Sequence, residues 1–146
     1  MRHERKECIE QILPLVKESF IHSIKDSIDR TPNPSKHRIG RGIRADIDMK
    51  FDNVQLRAVL IFNRAFLDIM CRLFLLEDNP TKEMIIDMSH EIANLTIGST
   101  KVLASTKDIK FRITTPYASK VKYSKKYALS FKLESNKKAV CNVFLS

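Results

Sequence analysis

The sequence predicts an α+β fold in which an antiparallel β-sheet packs against a few long helices. Several stretches space their apolar residues three and four positions apart, as one face of a helix does. Others alternate apolar and polar residues, and short polar turns connect two neighbouring pairs of them, as in antiparallel hairpins. Because the predicted helices and strands occur in separate runs, the sequence favours an arrangement in which helices cover an antiparallel sheet.

The first predicted helix runs from the N-terminal region to about Asp29. Pro14 either kinks this helix or marks its true start, because proline has no amide N–H to donate. The two prolines of residues 31–35 then predict a connector. The apolar face of the helix comprises Ile9, Ile12, Leu13, Val16, Phe20, Ile24 and Ile28.

The next elements are a strand pair and two helices. Residues 43–51 and 54–62 alternate between apolar and polar, which predicts two strands joined by a tight turn. Asn63 can cap a helix from about Arg64 to Leu76, and Pro80-Thr81 opens a second helix that runs to about Ser105. Three further strands are predicted at 109–113, 127–133 and 139–145, with a hairpin turn at 135–137.

Length and composition favour one domain over residues 1–146. The chain is 43% hydrophobic and 29% charged, which suits a single core. Its most apolar run, residues 58–76, is interrupted by Arg64, Asp68 and Arg72, so no membrane insertion is expected. The N-terminal residues lead into an amphipathic pattern and not into a signal sequence, which favours the cytoplasm.

Neither a disulfide nor a metal site is predicted. The three cysteines are odd in number and far apart, which favours buried free thiols. The histidines show no paired ligand spacing. These residues are Cys8, Cys71, Cys141, His3, His22, His37 and His90.

The net charge of +9 is concentrated in one part of the chain. The segment from Lys101 to Lys138 contains eleven Lys or Arg and two acids, and so accounts for the whole charge. This asymmetry predicts an acidic partner, either nucleic acid or an acidic protein surface that carries a phosphoryl group. Three tyrosines lie among these lysines, as in proteins that bind single-stranded nucleic acid. We favour the alternative that the tyrosines pack on the sheet while the lysines protect exposed strands, so nucleic acid is not the expected partner.

Polar residues form a stripe along the second of the two later helices. Asp87, Glu91, Asn94, Gly98 and Lys101 fall within an arc of roughly 80° at helical spacing. Apolar residues flank the stripe on both sides. The pattern predicts a helix that rests on a core and presents this stripe, called the ridge below, to a partner.

The sequence around the ridge resembles the signature of the CheX/CheC/FliY chemotaxis phosphatases. Residues 87–94 contain an acidic residue followed by Glu-x-x-Asn, and a proline follows at Pro116, slightly more than twenty positions after the Asn. The order of the surrounding elements also matches. Because Glu-x-x-Asn occurs once in the helical region, the resemblance is to the single-site CheX-like branch, which dimerises.

This resemblance implies a CheC-like fold and a phosphatase that hydrolyses the aspartyl phosphate of a CheY-like receiver domain. Asn94 would orient the attacking water, Glu91 would meet the receiver's active-site lysine, and Asp87, Gly98, Lys101 and Pro116 would contact the partner. The receiver's own Mg²⁺ would complete the site, so this chain would bind no metal or other cofactor. The alternative is a catalytically silent CheX-like adaptor in chemotaxis or flagellar assembly.

Overall fold

The computed structural model describes residues 2–146, in which three helices accompany a six-stranded antiparallel sheet. The strand order is β1-β5-β6-β3-β2-β4. The predicted α+β class is therefore confirmed. The elements are α1 (Arg2–Ile28), β1 (Pro32–Pro34), β2 (Ile43–Lys50), β3 (Gln55–Phe62), α2 (Arg64–Phe74), α3 (Lys82–Ser105), β4 (Arg112–Ile113), β5 (Tyr127–Leu133) and β6 (Val140–Leu145).

The hydrophobic core lies between the helices and one face of the sheet. α3 packs on β2 and β3, and α1 packs beside α3. Phe20 of α1 is fully buried. Its ring stacks on that of Phe131 with 4.4 Å between the ring centroids, and it is tilted relative to that of Phe66 with 6.0 Å between the centroids. These rings join α1 to β5 and to α2, so the helical layer is held on the sheet by shared aromatic contacts.

Two side-chain caps fix where α2 and α3 begin, and the first of them was predicted from the sequence. The Asn63 side-chain oxygen accepts a hydrogen bond from the Phe66 N–H at 3.1 Å and starts α2. The Thr81 hydroxyl accepts from the Met84 N–H at 3.2 Å and starts α3. Each cap satisfies a backbone donor that a helix leaves unpaired at its first turn.

In the N-terminal third, one prediction is wrong and one of two alternatives is excluded. Residues 31–35, expected as a connector, contain β1, in which Pro32 pairs with Leu133 and Pro34 with Phe131. Prolines exclude a helix, but they are tolerated on an edge strand because the missing N–H is not needed there. Pro14 does not mark the helix start, since α1 continues through it from Arg2.

Two other boundaries also differ from the prediction. α2 ends at Phe74 and not at Leu76, because Leu75 closes the helix and Leu76 adopts a left-handed φ of 57°. The strand predicted at 109–113 is reduced to β4, two residues that pair with the end of β2. Short elements at the margin of a sheet are decided by their neighbours more than by local pattern.

The face of the sheet away from the helices carries a charged network. Arg44 donates two hydrogen bonds to the fully buried Asp46 carboxylate, at 2.7 and 2.8 Å. Arg57 donates to Asp48 at 3.2 Å, and the Tyr117 hydroxyl donates to the same carboxylate at 2.6 Å. Two acids are thereby neutralised on a face that alternation predicts to be polar.

Candidate functional site

The five ridge residues lie along one side of α3. Asp87, Glu91, Asn94 and Lys101 are exposed, and Gly98 is half-buried. The opposite side of the helix rests on the core. Its buried residues are Ile85, Met88, Ser89, Ile92, Ala93, Thr96, Ile97, Thr100 and Ala104.

Buried hydroxyls on the inner side of α3 are mostly paired within the helix itself. Ser89 donates to the Ile86 carbonyl at 2.6 Å, and Thr100 donates to the Thr96 carbonyl at 2.8 Å. With its apolar neighbours fully buried, α3 is a rigid support for the exposed side. The backbone positions of the ridge residues relative to one another are therefore set before any partner binds.

Glu91 and Asn94 are available to a partner. They lie about one helical turn apart, and among residues 2–146 no hydrogen bond or ion pair engages their side chains. A glutamate can receive a cation, and an asparagine amide can both donate to and accept from a water molecule. The pair can thus hold a cation and a water within one turn of the helix.

An apolar notch of about 240 Å³ adjoins the N-terminal half of the ridge, and sequence reasoning missed it. The notch lies where α2 ends, because Phe74 and the two leucines that follow the helix face solvent; Leu75 is 47% exposed and Leu76 is 84% exposed. The signal was the run of three large apolar residues at 74–76. The notch is lined by Phe74, Leu75, Met84, Asp87, Met88 and Glu91.

Pro116 does not join the ridge. It is half-buried in the segment that runs along the outer edge of β2, between Thr114 and Tyr117. The N–H groups of these two neighbours donate to the carbonyls of Asp48 and Asp46, at 3.1 and 2.9 Å. Pro116 therefore lies between two residues that pair with β2, and it is part of this edge of the sheet.

Two of the three tyrosines of the basic segment are occupied in packing. The Tyr117 hydroxyl is bonded to Asp48, and burial together with this bond raises the pKa of Tyr117 to about 12. The Tyr123 ring lies 5.2 Å from that of Phe144, and the Arg44 guanidinium lies 4.7 Å from its centre. These two side chains therefore have partners within the fold.

The predicted buried free thiols are found at two of the three cysteines. Cys71 and Cys141 are buried and Cys8 is half-buried, and burial raises the pKa of the Cys141 thiol well above its ordinary value. Across residues 2–146 no group of three or more His, Cys, Asp or Glu side chains is placed to hold a metal ion. In the same range, no helix has the length and hydropathy required to cross a membrane.

Comparison with known proteins places the fold. No protein-family model matches the sequence, and no curated protein sequence does either. Solved structures do match. CheX of Vibrio vulnificus superposes with a TM-score of 0.76 at 17% identity, over 92% of this chain and 96% of that one. The chain has the CheX-type fold.

Two other solved structures extend the CheX-type likeness. CheX of Borrelia burgdorferi, solved in a complex with CheY, BeF₃ and Mg²⁺, superposes with a TM-score of 0.69 at 15% identity, covering 91% of this chain and 95% of that one. FliY of Thermotoga maritima superposes with a TM-score of 0.60 at 14% identity, covering 97% and 89%. The predicted CheC-like fold is thus confirmed over nearly the whole chain.

Proposed function

We propose that this protein is a phosphatase that removes the phosphoryl group from the aspartyl phosphate of a CheY-like receiver domain. The observation that carries the proposal is the pair Glu91 and Asn94, exposed and unengaged among the described residues on the rigid ridge of α3, in a chain with the CheX-type fold. A protein with this fold has been solved bound to CheY with BeF₃ and Mg²⁺.

Asn94 is assigned the positioning of water. Its amide can hold a water molecule in line with the bond between phosphorus and the aspartyl oxygen, since the amide both donates and accepts hydrogen bonds. The amide carries no charge, so it does not repel the anionic phosphoryl group. Hydrolysis of an acyl phosphate needs this positioning together with charge stabilisation, and the Mg²⁺ that supplies the latter belongs to the receiver.

Glu91 is assigned the recognition of a lysine on the receiver. The apolar notch beside Glu91 has Asp87 on its rim, which gives this end of the ridge a negative charge and an apolar surface together. A lysine suits this combination because its methylene stem packs on apolar side chains while its ammonium group meets the carboxylates. An ion pair here fixes where Asn94 stands above the phosphoryl group.

The test follows the decay of a phosphorylated CheY-like receiver in the presence of wild-type protein, Glu91→Ala and Asn94→Ala. We expect Asn94→Ala to lower the acceleration of decay at saturation by about 10²-fold or more, since it removes the water-orienting group. Glu91→Ala should chiefly raise the receiver concentration that is needed.

Glu134→Ala is the matched control, because Glu134 is an exposed acid in the turn between β5 and β6 and lies outside α3. It should retain wild-type activity. If the wild-type protein accelerated the decay of none of the CheY-like receivers encoded in the same genome, the enzymatic proposal would be wrong.

A catalytically silent adaptor is the second candidate. It is favoured by the FliM middle domain of Vibrio alginolyticus, which superposes with a TM-score of 0.54 at 11% identity over 92% of this chain and 91% of that one, because that protein shares the fold and is not named CheX, CheC or FliY. An adaptor would bind a receiver, or another component of chemotaxis or flagellar assembly, without accelerating decay. We also propose a homodimer, which light scattering of the purified protein would show as twice the 16.9 kDa chain mass.

A further inference from the structure

A cationic pocket adjoins the end of the ridge opposite to the notch. Its volume is about 580 Å³, and four cations and one acid contribute to its walls. Two rings form an apolar floor, with 4.7 Å between their centroids. The pocket is lined by Lys50, Phe51, Asp52, Lys101, Ser105, Lys110, Phe111 and Arg112.

The four cations of this pocket lack partners within the described part of the chain. The ion pairs found there lie elsewhere, on α1, α2 and the outer face of the sheet. Lys50 and Arg112 are directly opposed across β2 and β4, an arrangement that destabilises an antiparallel pair. Residues that break a local rule without internal compensation are expected where a ligand completes the site.

Lys101 belongs both to the pocket and to the ridge, and so connects them. It lies seven residues beyond Asn94, about 10 Å along the helix axis, and fourteen beyond Asp87, about 21 Å. The exposed side of α3 is therefore acidic at one end and basic at the other. A partner centred over Asn94 extends across both ends.

We propose that this cationic pocket binds a cluster of carboxylates on the surface of the receiver and thereby sets the orientation in which the receiver docks on α3. This inference rests on the proposed function, because it takes the receiver as the partner. With a lysine held at the acidic end and carboxylates at the basic end, only one direction of docking satisfies both charges.

The openness of the pocket favours protein carboxylates over a free phosphate. All four cations reach it as flexible side chains, and Lys50, Lys101, Lys110 and Arg112 are themselves exposed. Exposed pairs each contribute little in water, so a small anion would be held weakly. A protein surface brings several carboxylates at once and needs only one docking event to place them.

The test measures binding of a CheY-like receiver, held in its activated form by BeF₃⁻ and Mg²⁺, to the double variant Lys101→Glu/Lys110→Glu. We expect the dissociation constant to rise about 10-fold or more, from two reversed contacts of modest strength. The control is Lys120→Glu/Lys122→Glu, which makes the same change of net charge at exposed lysines outside this pocket. The control should change affinity less than 2-fold.

A milder pair, Lys101→Gln/Lys110→Gln, removes the two positive charges without introducing acids, and should weaken binding by a smaller factor in the same direction. Carbodiimide coupling, which joins amines to carboxylates in contact, should link Lys101 or Lys110 to Asp or Glu of the receiver and spare Lys120. Circular dichroism of each variant should match the wild type.

The outcomes separate the two proposals. If Lys101→Glu/Lys110→Glu weakened binding no more than the control pair, the pocket proposal would be overturned. Loss of phosphatase activity in Asn94→Ala would still support the proposed function. If no receiver bound the wild-type chain, both would fall. Weakening that is larger for Lys101→Glu/Lys110→Glu than for Lys101→Gln/Lys110→Gln, and less than 2-fold for the control pair, supports the pocket as a docking site.

Discussion

Gly98 is the ridge residue whose identity packing does not explain. A Cβ added there would meet no heavy atom within 4 Å. Glycine inside a helix costs about 0.5–1 kcal/mol relative to alanine. Since the fold has room for a side chain, we attribute the glycine to close approach by a partner between Asn94 and Lys101.

Gly98→Ala is therefore expected to stabilise the protein and to weaken its activity. The free energy of unfolding should rise by about 0.5–1 kcal/mol, because alanine is the better helix former. The receiver concentration for half-maximal activity should rise, because the added methyl occupies space that the partner uses. Chemical denaturation and phosphatase assays measure the two effects.

Gly40→Ala is the matched control. Gly40 also has open space around an added Cβ, but it lies outside α3, in the segment before β2. The activity of Gly40→Ala should equal that of the wild type. A Gly98→Ala protein with unchanged activity would remove glycine from the proposed contact surface.

Tyr117 predicts a loss of stability in alkali. Burial, and then its hydrogen bond to Asp48, raise the pKa of Tyr117 from 10 to about 12. A group whose pKa is raised by folding contributes stability that is complete below the unfolded pKa and disappears as the pH passes the folded pKa. The stabilisation from Tyr117 should thus be present below pH 10 and be lost between about pH 10 and 12.

The measurement is the free energy of unfolding of wild type and Tyr117→Phe between pH 9 and 12. The difference between the two proteins should shrink as the pH rises through this window. Absorbance at 295 nm gives a second readout, in which Tyr117→Phe should lose the phenol titration near pH 12. Asp48→Asn should lower the pKa of Tyr117 part of the way toward 10, since burial remains.

At the scale of elements, Asn63 does more than begin α2. Its side-chain oxygen accepts from the N–H groups of Phe66 and Val140, and its amide donates to the Lys138 carbonyl at 2.6 Å. One side chain therefore joins the start of a helix to the start of β6. Sequence reasoning identified the cap, but the bonds to residues 75 and 77 positions away required the folded chain.

Asn63→Ala should destabilise the protein by about 2–3 kcal/mol, because it removes a cap and leaves the Val140 N–H of a buried residue unpaired. Thr81→Ala is the control, since Thr81 makes a single, exposed cap bond to Met84. It should cost only about 1 kcal/mol. Equal losses in urea denaturation would show that the contacts of Asn63 with β6 contribute nothing.

The elements that the sequence predicted well are those with a strong internal pattern. The β2–β3 hairpin follows the predicted alternation, with Ile43 opposite Phe62 and Lys50 opposite Gln55. α3 shows helical spacing over six turns and a capping threonine. β1 and β4 were missed or overextended because each has only two or three residues, and pairing with a neighbouring strand decides them.

At the scale of the whole molecule, the two faces of the sheet differ in how well the sequence predicts the burial of their side chains. Alternation marks Ala45, Ile47 and Met49 as one face, and all three are buried against the helices. The same alternation marks Asp46 as polar and therefore exposed, yet it is fully buried. Its charge is paired with that of Arg44 on the same strand. The distant segment around Tyr117 pairs with its backbone and covers it.

The ridge was determined by the sequence, because the rotation per residue of a helix fixes which side chains share a side, whatever the rest of the fold does. The notch and the cationic pocket were decided by tertiary structure alone. Each combines residues from elements far apart in the chain: Phe74 with Glu91 in one case, Lys50 with Lys101 and Arg112 in the other. Such proximity follows from helix packing and strand order, which no local pattern encodes.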